Sequence, residues 1–534
     1  MSSIESGQHD SAAAAEASLR DARVLVLGAG IMGAGIAQVA AQAGHRVALY
    51  DARDGAASQA HAQLGATFEA LVAKGRLAAD KAQAALARIQ PVQRLEDAAD
   101  CGLVIEAIIE RLDIKREVLA QLEALVDARC VLASNTSSLS ITALARDMKH
   151  PERLVGMHFF NPVPLMKLVE VVSGLRTDAA VAARVFDLAQ AWGKTAVHAR
   201  STPGFIVNRI ARPYYAETLA LLQEQAATPQ VLDACLRAAG FRMGPCELMD
   251  LIGHDTNFAV TQAVYEANFF DKRYQPSLVQ RELVDGGMLG RKSGRGFYEH
   301  AAGATAPQAQ AHAADLLAPA PGARVVVAGS GALAERIARA LHAAGVEHGL
   351  DPQAGWCGLR VDQASLRLSD GRAATELGAE VAVFDLPLRD EPGLALAWAP
   401  SADASASWCE QAPRWLHLLG WLPLRLRDLP GLAVARTVAM LINEACDAVH
   451  QGVCSEQGAD AAMKLGVNYP AGPFEWLARW RALGAPEISG LLDALDRHYR
   501  GERYRVSPGL RERAWRASRD GLLRGVKAAG GARP

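Results

Sequence analysis

The chain has 534 residues, half of them hydrophobic and 21% charged, with a formal net charge of −2. That length exceeds what one hydrophobic core supports, so three or four domains are expected. The near-neutral balance offers no basic face for nucleic acid and no polybasic patch for a membrane surface, and no apolar run approaches the roughly 20 residues a membrane span requires.

Residues 1–20 are rich in Ser, Ala and acids and lack an apolar core segment. They are expected to be a disordered tail and not a secretory signal, which points to a cytoplasmic protein. The eight cysteines are scattered without CxxC spacing. They read as reduced thiols filling apolar positions, and no metal is expected.

Arg23–Gly28 is a short β-branched apolar run that ends in Gly28-Ala29-Gly30-Ile31-Met32-Gly33. An Ala-rich helical stretch follows to Gly44, and then a second strand, HRVALYD, ends at Asp51. This is G-x-G-x-x-G with a strand before it, a helix after it and an acid at the end of the next strand, the context that gives the motif meaning. Gly28 permits the tight turn, Gly30 lets backbone approach a pyrophosphate, and Gly33 lets helix pack on strand. Ile31 and Met32 complete the turn, and the helix start faces the phosphates. Asp51 is placed to accept ribose hydroxyls and to repel a 2′-phosphate, so NAD is expected over NADP; Arg53 nearby pulls the other way.

Residues 56–90 read as two amphipathic helices, with Lys74 and Arg76 between them. The run LVIEAI reads as a strand ending near Ile108, leading into Glu110 and a helix that carries Lys115. Viewed alone, Glu110 and Lys115 could be a solvated helix-end pair. CVLAS is the next strand and opens into Asn135-Thr136-Ser137-Ser138. Short polar groups at the end of a parallel strand belong at the carboxyl edge, where doubly wound folds bind ligands. Ser138 or Ser140 could equally be only the N-cap of a helix over 141–147.

The run RLVGMH brings His158 to the end of a strand, and KLVEVV carries Glu170 among apolar neighbours. A carboxylate on a buried strand needs a partner. Pairing with His158 would meet that need, fix the imidazole tautomer and stabilise the protonated ring, as suits a general base.

The segments GAGIMGAGIA, EAIIERLDIK, SNTSSLSIT, GMHFFNPVPLMKLVEVV, STPGFIVNRIARPYY, MGPCELMDLIG and GRKSGRGFY stand in the order found in the L-3-hydroxyacyl-CoA dehydrogenase family. The chain resembles that family from about Val24 to Tyr298. Its length, with NRIARPYYAE and DLIGHDTNFAV, most resembles the long bacterial members that act on 3-hydroxyadipyl-CoA in phenylacetate degradation. The resemblance implies an NAD-dependent oxidoreductase of acyl-CoA substrates. In it His158 removes the 3-hydroxyl proton, Glu170 orients His158, and Ser137 and Asn208 bind substrate oxygens. It also implies that Glu110, Lys115, Asn161 and Lys292 lie near the cofactor and that Lys74 contacts coenzyme A. Arg212, one helical turn after Asn208, could meet a terminal carboxylate or form a structural salt bridge.

After Tyr298 a linker rich in Ala, Pro and Gln is expected over 301–322. Eight of the nine tryptophans lie after residue 350. Arg324–Ala328 leads into a second glycine turn, Gly329–Ala334, and Asp351 follows after a poor strand, VEHGL. Residues 323–425 are therefore expected to be a reduced Rossmann-like domain with a structural role. From Gly420, GWLPLRLRDLPGLAVAR aligns without gaps on GKTAVHARSTPGFIVNR from Gly193, an offset of 227. NYPAGPFEW answers FRMGPCELM, and ERYRVSPGL answers KRYQPSLVQ. A repeat of this length means a duplicated helical domain. The position equivalent to Asn208 is Ala435, so the second copy is expected to be non-catalytic.

The organisation expected is thus an NAD-binding Rossmann domain (21–200), a helical domain (201–300), the reduced Rossmann-like domain and a second helical domain (426–534). The two helical copies would pack as an internal pseudo-dimer, with a homo-oligomer also open. Three other readings stay open: a 3-hydroxybutyryl-CoA dehydrogenase, a non-catalytic crystallin-like NAD-binding protein, and a β-hydroxyacid dehydrogenase, which would use a catalytic lysine.

Overall fold

The structure, a computed structural model, describes residues 19–300 and 318–530. Most of the tail expected over 1–20 and of the linker expected over 301–322 lies outside those residues. Leu19, although the composition suggests it belongs to the tail, is buried in a short turn over Leu19–Asp21. Among the described residues no helix is long and apolar enough to cross a membrane. The chain divides into two compact units, Met1–Ala196 and Val197–Pro534.

The first unit is a doubly wound sheet in the order β3-β2-β1-β4-β5-β6-β7-β8. Its strands are β1 (Val24–Leu27), β2 (Val47–Tyr50), β3 (Ile89–Pro91), β4 (Leu103–Glu106), β5 (Val131–Ser134), β6 (Leu154–Phe159), β7 (Leu168–Ser173) and β8 (Thr195–Arg200). The runs VLVL, LVIE and VLAS are buried at every position, as central parallel strands covered on both faces must be. The pairings from β3 through β6 are parallel, and β7 returns antiparallel to β6. Two boundaries differ from the pattern read in sequence. The second amphipathic helix stops at Ala87, and Ile89–Pro91 adds an edge strand to β2. LVIEAI leaves the sheet at Glu106, two residues before Ile108.

The second unit contains a seven-stranded sheet, β10-β9-β11-β12-β13-β14-β15. The ranges are β9 (Val325–Ala328), β10 (His348–Asp351), β11 (Gly358–Val361), β12 (Ala364–Leu368), β13 (Val381–Phe384), β14 (Leu394–Pro400) and β15 (Trp421–Arg425). VEHGL is a poor strand by composition, yet His348–Asp351 pairs parallel with β9, because backbone pairing with a strong neighbour outweighs weak propensity at an edge. β11 then runs antiparallel to β9, where a doubly wound sheet would place a parallel strand. The second glycine turn is filled from within the chain. A Cβ at Gly331 would stand 2.9 Å from Gly484 Cα, and Leu333 N–H donates to the Leu483 carbonyl at 3.3 Å.

Two helical regions flank that sheet in sequence. The first includes the helices Val207–Ile210, Arg212–Gln223, Pro229–Ala238, Pro245–Ile252 and His254–Ala267. The second is built on Val434–His450, whose first fifteen residues are all buried. Ion pairs between the two regions are reciprocal. Arg209 donates to Glu444 at 2.5 Å, and Arg436 donates to Glu217 at 2.8 Å. Both arginines and both glutamates are related by the repeat offset, since 436 − 209 and 444 − 217 are each 227. Tyr274 and Arg273 reach Glu444, and their counterparts Tyr504 and Arg503 reach Glu217. Burial pushes both glutamates up, but the arginines around each hold it below the ordinary carboxylate value.

Candidate active site

Because β6 and β7 are antiparallel with His158 opposite Glu170, both side chains leave the same face of the sheet. Glu170 Oε2 accepts from His158 Nδ1 at 2.5 Å; the glutamate is fully buried and the histidine 5% exposed. A proton held on Nδ1 makes Nε2 the basic nitrogen, the tautomer a general base requires. The Phe160 ring packs on the imidazole with centroids 4.5 Å apart. Asn135 Oδ1, just after β5, accepts from Phe159 N–H at 2.8 Å and ties the ends of β5 and β6 together.

Ser137 follows the same strand end, in a turn organised by one carboxylate. Glu110 Oε1 accepts from Thr136 Oγ1 at 2.6 Å, Ser137 N–H at 2.9 Å and Ser138 N–H at 3.0 Å. Burial pushes the Glu110 carboxyl up, but Lys115 and these donors hold it below its ordinary value. Lys115 is 1% exposed, and its Nζ bridges Glu106 at 2.5 Å and Glu110 at 3.2 Å. The solvated helix-end alternative for Glu110 and Lys115 is thereby excluded. Glu106, fully buried at the end of β4, also accepts from Ser134 Oγ at 2.6 Å. Sequence reasoning missed Glu106, although its signal, an acid inside an apolar strand, is the one that singles out Glu170. Ser140, not Ser138, caps the short helix Ile141–Leu144.

The first glycine turn fits a dinucleotide. Gly28 has φ +103, and a Cβ there would meet the Ala107 carbonyl; one at Gly33 would strike the Gly28 carbonyl. Gly30 is different: nothing lies within 4 Å of where its Cβ would be, so its lack of a side chain clears room for a phosphate. The helix Ile31–Gln42 begins there, with Ile31 and Met32 in its first turn. Asp51 Oδ2 accepts from Ala29 N–H at 2.8 Å, locking the turn to the end of β2. Arg53 grips the same carboxylate, its Nε 3.0 Å from Oδ1. Burial pushes Asp51 up, but Arg53 and the backbone donors more than offset this and keep it ionised.

The other expected positions are more dispersed. Asn161 is exposed after β6, and Lys74 is exposed at the end of the helix Ala56–Ala73. In the second unit, Asn208 lies in the one-turn helix Val207–Ile210, and Arg212 opens the next helix with Nε donating to the Asn208 carbonyl at 2.9 Å. Lys292 pairs with Asp255 in that unit.

Residues 23–202 match the NAD-binding domain model of 3-hydroxyacyl-CoA dehydrogenase. The C-terminal domain model of the same enzyme matches twice, at 204–300 and 431–514. Residues 366–430 match the reduced Rossmann-fold domain of 3-hydroxybutyryl-CoA dehydrogenase. The chain belongs to the 3-hydroxyacyl-CoA dehydrogenase family. It is an NAD-dependent oxidoreductase of 3-hydroxyacyl-CoA thioesters, with a Rossmann domain, a helical domain, a reduced Rossmann domain and a second helical domain. It is 44% identical over 492 residues to 3-hydroxyadipyl-CoA dehydrogenase of Escherichia coli (strain K12), covering 92% of this chain and 97% of the relative. A probable 3-hydroxybutyryl-CoA dehydrogenase of Deinococcus radiodurans is 41% identical over 52% of this chain and 99% of its own. A crystal structure described as 3-hydroxybutyryl-CoA dehydrogenase from Escherichia coli K12 superposes with a TM-score of 0.83 at 42% identity, covering 93% of this chain and 99% of the other.

Proposed function

We propose that the protein oxidises 3-hydroxyadipyl-CoA to 3-oxoadipyl-CoA in the cytoplasm, as a step of phenylacetate catabolism. The observation that carries the substrate assignment is the 44% identity to a relative of that name across 92% of the chain, including the second half that short members lack. His158 acts as the general base on the 3-hydroxyl, and Glu170 holds the imidazole in the Nε2-basic tautomer and balances the charge it gains. NAD⁺, when bound, supplies the hydride acceptor. Ser137 and Asn208 bind the substrate oxygens. Glu110 and Lys115 shape the turn that carries Ser137, and Glu110, Lys115, Asn161 and Lys292 are assigned to the cofactor by their places in the family motifs. Lys74 meets the coenzyme A moiety.

A second reading is 3-hydroxybutyryl-CoA as substrate. It is favoured by the short relatives, which match the first half alone, and by the description of the Escherichia coli structure. NADH formation across a panel of 3-hydroxyacyl-CoAs, with NADP⁺ as control, separates the two. The adipyl thioester should give the highest kcat/KM, and a butyryl preference would overturn that assignment.

The second helical region takes the place that a partner subunit would hold. The reciprocal Arg209–Glu444 and Arg436–Glu217 pairs support this, because a two-fold interface makes each residue meet its counterpart's partner. Phe241 and Tyr469, which precede the equivalent Gly-Pro helix starts at Gly244 and Gly472, also meet ring to ring at 5.0 Å. Sedimentation of the full chain tests whether a single protomer suffices or a further homo-oligomer forms.

A further inference from the structure

Arg212 is 5% exposed, yet among the described residues it has no carboxylate partner. Its Nε donates to the Asn208 carbonyl, its Nη1 donates to Thr261 Oγ1 at 3.0 Å, and its guanidinium carbon lies 4.9 Å from the centre of the Tyr215 ring. The structural salt bridge that sequence alone leaves open is therefore not formed among the described residues. A buried cation without an anion is costly, and such groups are retained where a ligand completes them. Arg212 lines a cavity of about 180 Å³; room for one water needs only about 10–15 Å³.

The rest of the lining is rich in donors. Thr261, Gln275, Ser277 and Gln280 come from the first helical region, and Arg503 comes from the second. Arg503 Nε donates to Glu217 at 3.1 Å. Its Nη2 is buried close to the same oxygen but donates no hydrogen bond, so the group keeps unused donor capacity. Glu217 itself is fully buried and already holds Arg436 and Tyr504.

The repeat separates this feature from the scaffold. Adding the offset of 227 takes Arg209 to Arg436 and Glu217 to Glu444, both kept. It takes Asn208 to Ala435 and Arg212 to Ala439, both lost. Arg212 thus segregates with the substrate-binding asparagine and not with the ion pairs that join the copies.

The geometry points to a carboxylate pocket, in which Arg212 and Arg503 receive the terminal carboxylate of a dicarboxylic acyl chain. This rests on the reading of Asn208 as a substrate contact and names the group that selects the substrate. It also gives the non-catalytic second copy a role in specificity, through Arg503.

The test uses the full chain and two thioesters of equal length, 3-hydroxyadipyl-CoA and 3-hydroxyhexanoyl-CoA, which differ in the terminal carboxylate. The wild type should favour the adipyl substrate in kcat/KM. Arg212→Met should lower the adipyl-to-hexanoyl ratio by about 10- to 100-fold, the span expected for charge-assisted hydrogen bonds from a buried guanidinium. Arg212→Lys should lower it less, and Arg503→Gln by several-fold. A purely structural role for Arg212 would depress both substrates together, so a ratio unmoved by Arg212→Met overturns the pocket and leaves the dehydrogenase reading standing. Equal use of both substrates by the wild type overturns the pocket and the adipyl assignment together, and no turnover of either overturns the active-site reading itself. Should Arg212→Met fail to fold, Thr261→Val and Ser277→Ala are read on the same ratio, where a several-fold fall supports the pocket and no change overturns it.

Discussion

The helix that begins at Arg212 and the helix Val434–His450 descend from one pattern, yet they are built differently. In the first copy the chain breaks at Ala211, between a one-turn helix carrying Asn208 and a second helix that starts Arg212-Pro213. In the second copy the same stretch is one unbroken helix of 17 residues, with Ala435 and Ala439 at the matching places. Arg209, Glu217, Arg436 and Glu444 are kept in both copies and join them. Asn208 and Arg212 have no counterpart in the second copy, where alanine stands at both positions. Duplication thus kept the ion pairs that join the copies in both and these two polar groups in one.

That contrast predicts a single active site per chain. His158→Ala should reduce kcat by about 10²- to 10⁴-fold, the usual worth of a general base, with folding and NAD affinity intact by circular dichroism and fluorescence titration. Glu170→Gln should cost less than His158→Ala while shifting the kcat pH profile, because it changes the charge beside the imidazole. Substantial residual turnover in His158→Ala would mean the second half carries a site of its own.

The shared scaffold should show itself in stability. Glu444→Gln leaves Arg209 and Arg273 buried without their carboxylate and should destabilise the protein by about 3–5 kcal/mol, read as a lower urea midpoint at unchanged slope. Because Glu217 and Glu444 are held below their ordinary value of 4.5, the stability they contribute is present above pH 4.5 and lost as pH falls through the folded values. Acid titration of Glu444→Gln should therefore be shallower than that of the wild type. If Glu444→Gln is no less stable than wild type, the reciprocal pairs do not hold the copies together.

Asn208→Ala makes the first copy resemble the second at its most telling position, and it should lower kcat/KM by about 10²- to 10³-fold, as for a lost hydrogen bond to a reacting oxygen. Ala435→Asn, the converse exchange, should restore nothing in that background.

How much of this the sequence discloses depends on the range of the signal. The His158–Glu170 pair is legible because a carboxylate among Leu, Val and Val announces burial and a nearby histidine offers the partner. Glu106 carries the same signal less legibly, since its partner Lys115 sits on a helix that reads as solvated. The edge strand Ile89–Pro91 is too short and too polar to stand out from the helix before it. The repeat offset is visible by alignment, but the crossing of Arg209 to Glu444 and Arg436 to Glu217 is not, because only packing decides which of two equivalent partners a side chain meets. That no carboxylate among the described residues meets Arg212 is likewise a fact of three dimensions.

The two glycine turns give the smallest and sharpest contrast. Both follow a buried strand, both precede a helix, and both have an aspartate at the end of the next parallel strand, Asp51 and Asp351. At the first, Gly30 faces open space and Asp51 fastens the turn through Ala29. At the second, the backbone of Leu483–Gly484 sits where phosphates would, and Asp351 is drawn instead to Arg360 at 3.4 Å. Asp51→Asn should weaken NAD⁺ by about tenfold, the scale of one charge-assisted hydrogen bond, and narrow the preference over NADP⁺, because Arg53 loses its carboxylate and becomes available to a 2′-phosphate. Asp351→Asn should leave the NAD⁺ dissociation constant unchanged and titrate to one nucleotide per chain. A stoichiometry of two would mean that the second turn opens to ligand and that its occupation by Leu483–Gly484 is not permanent.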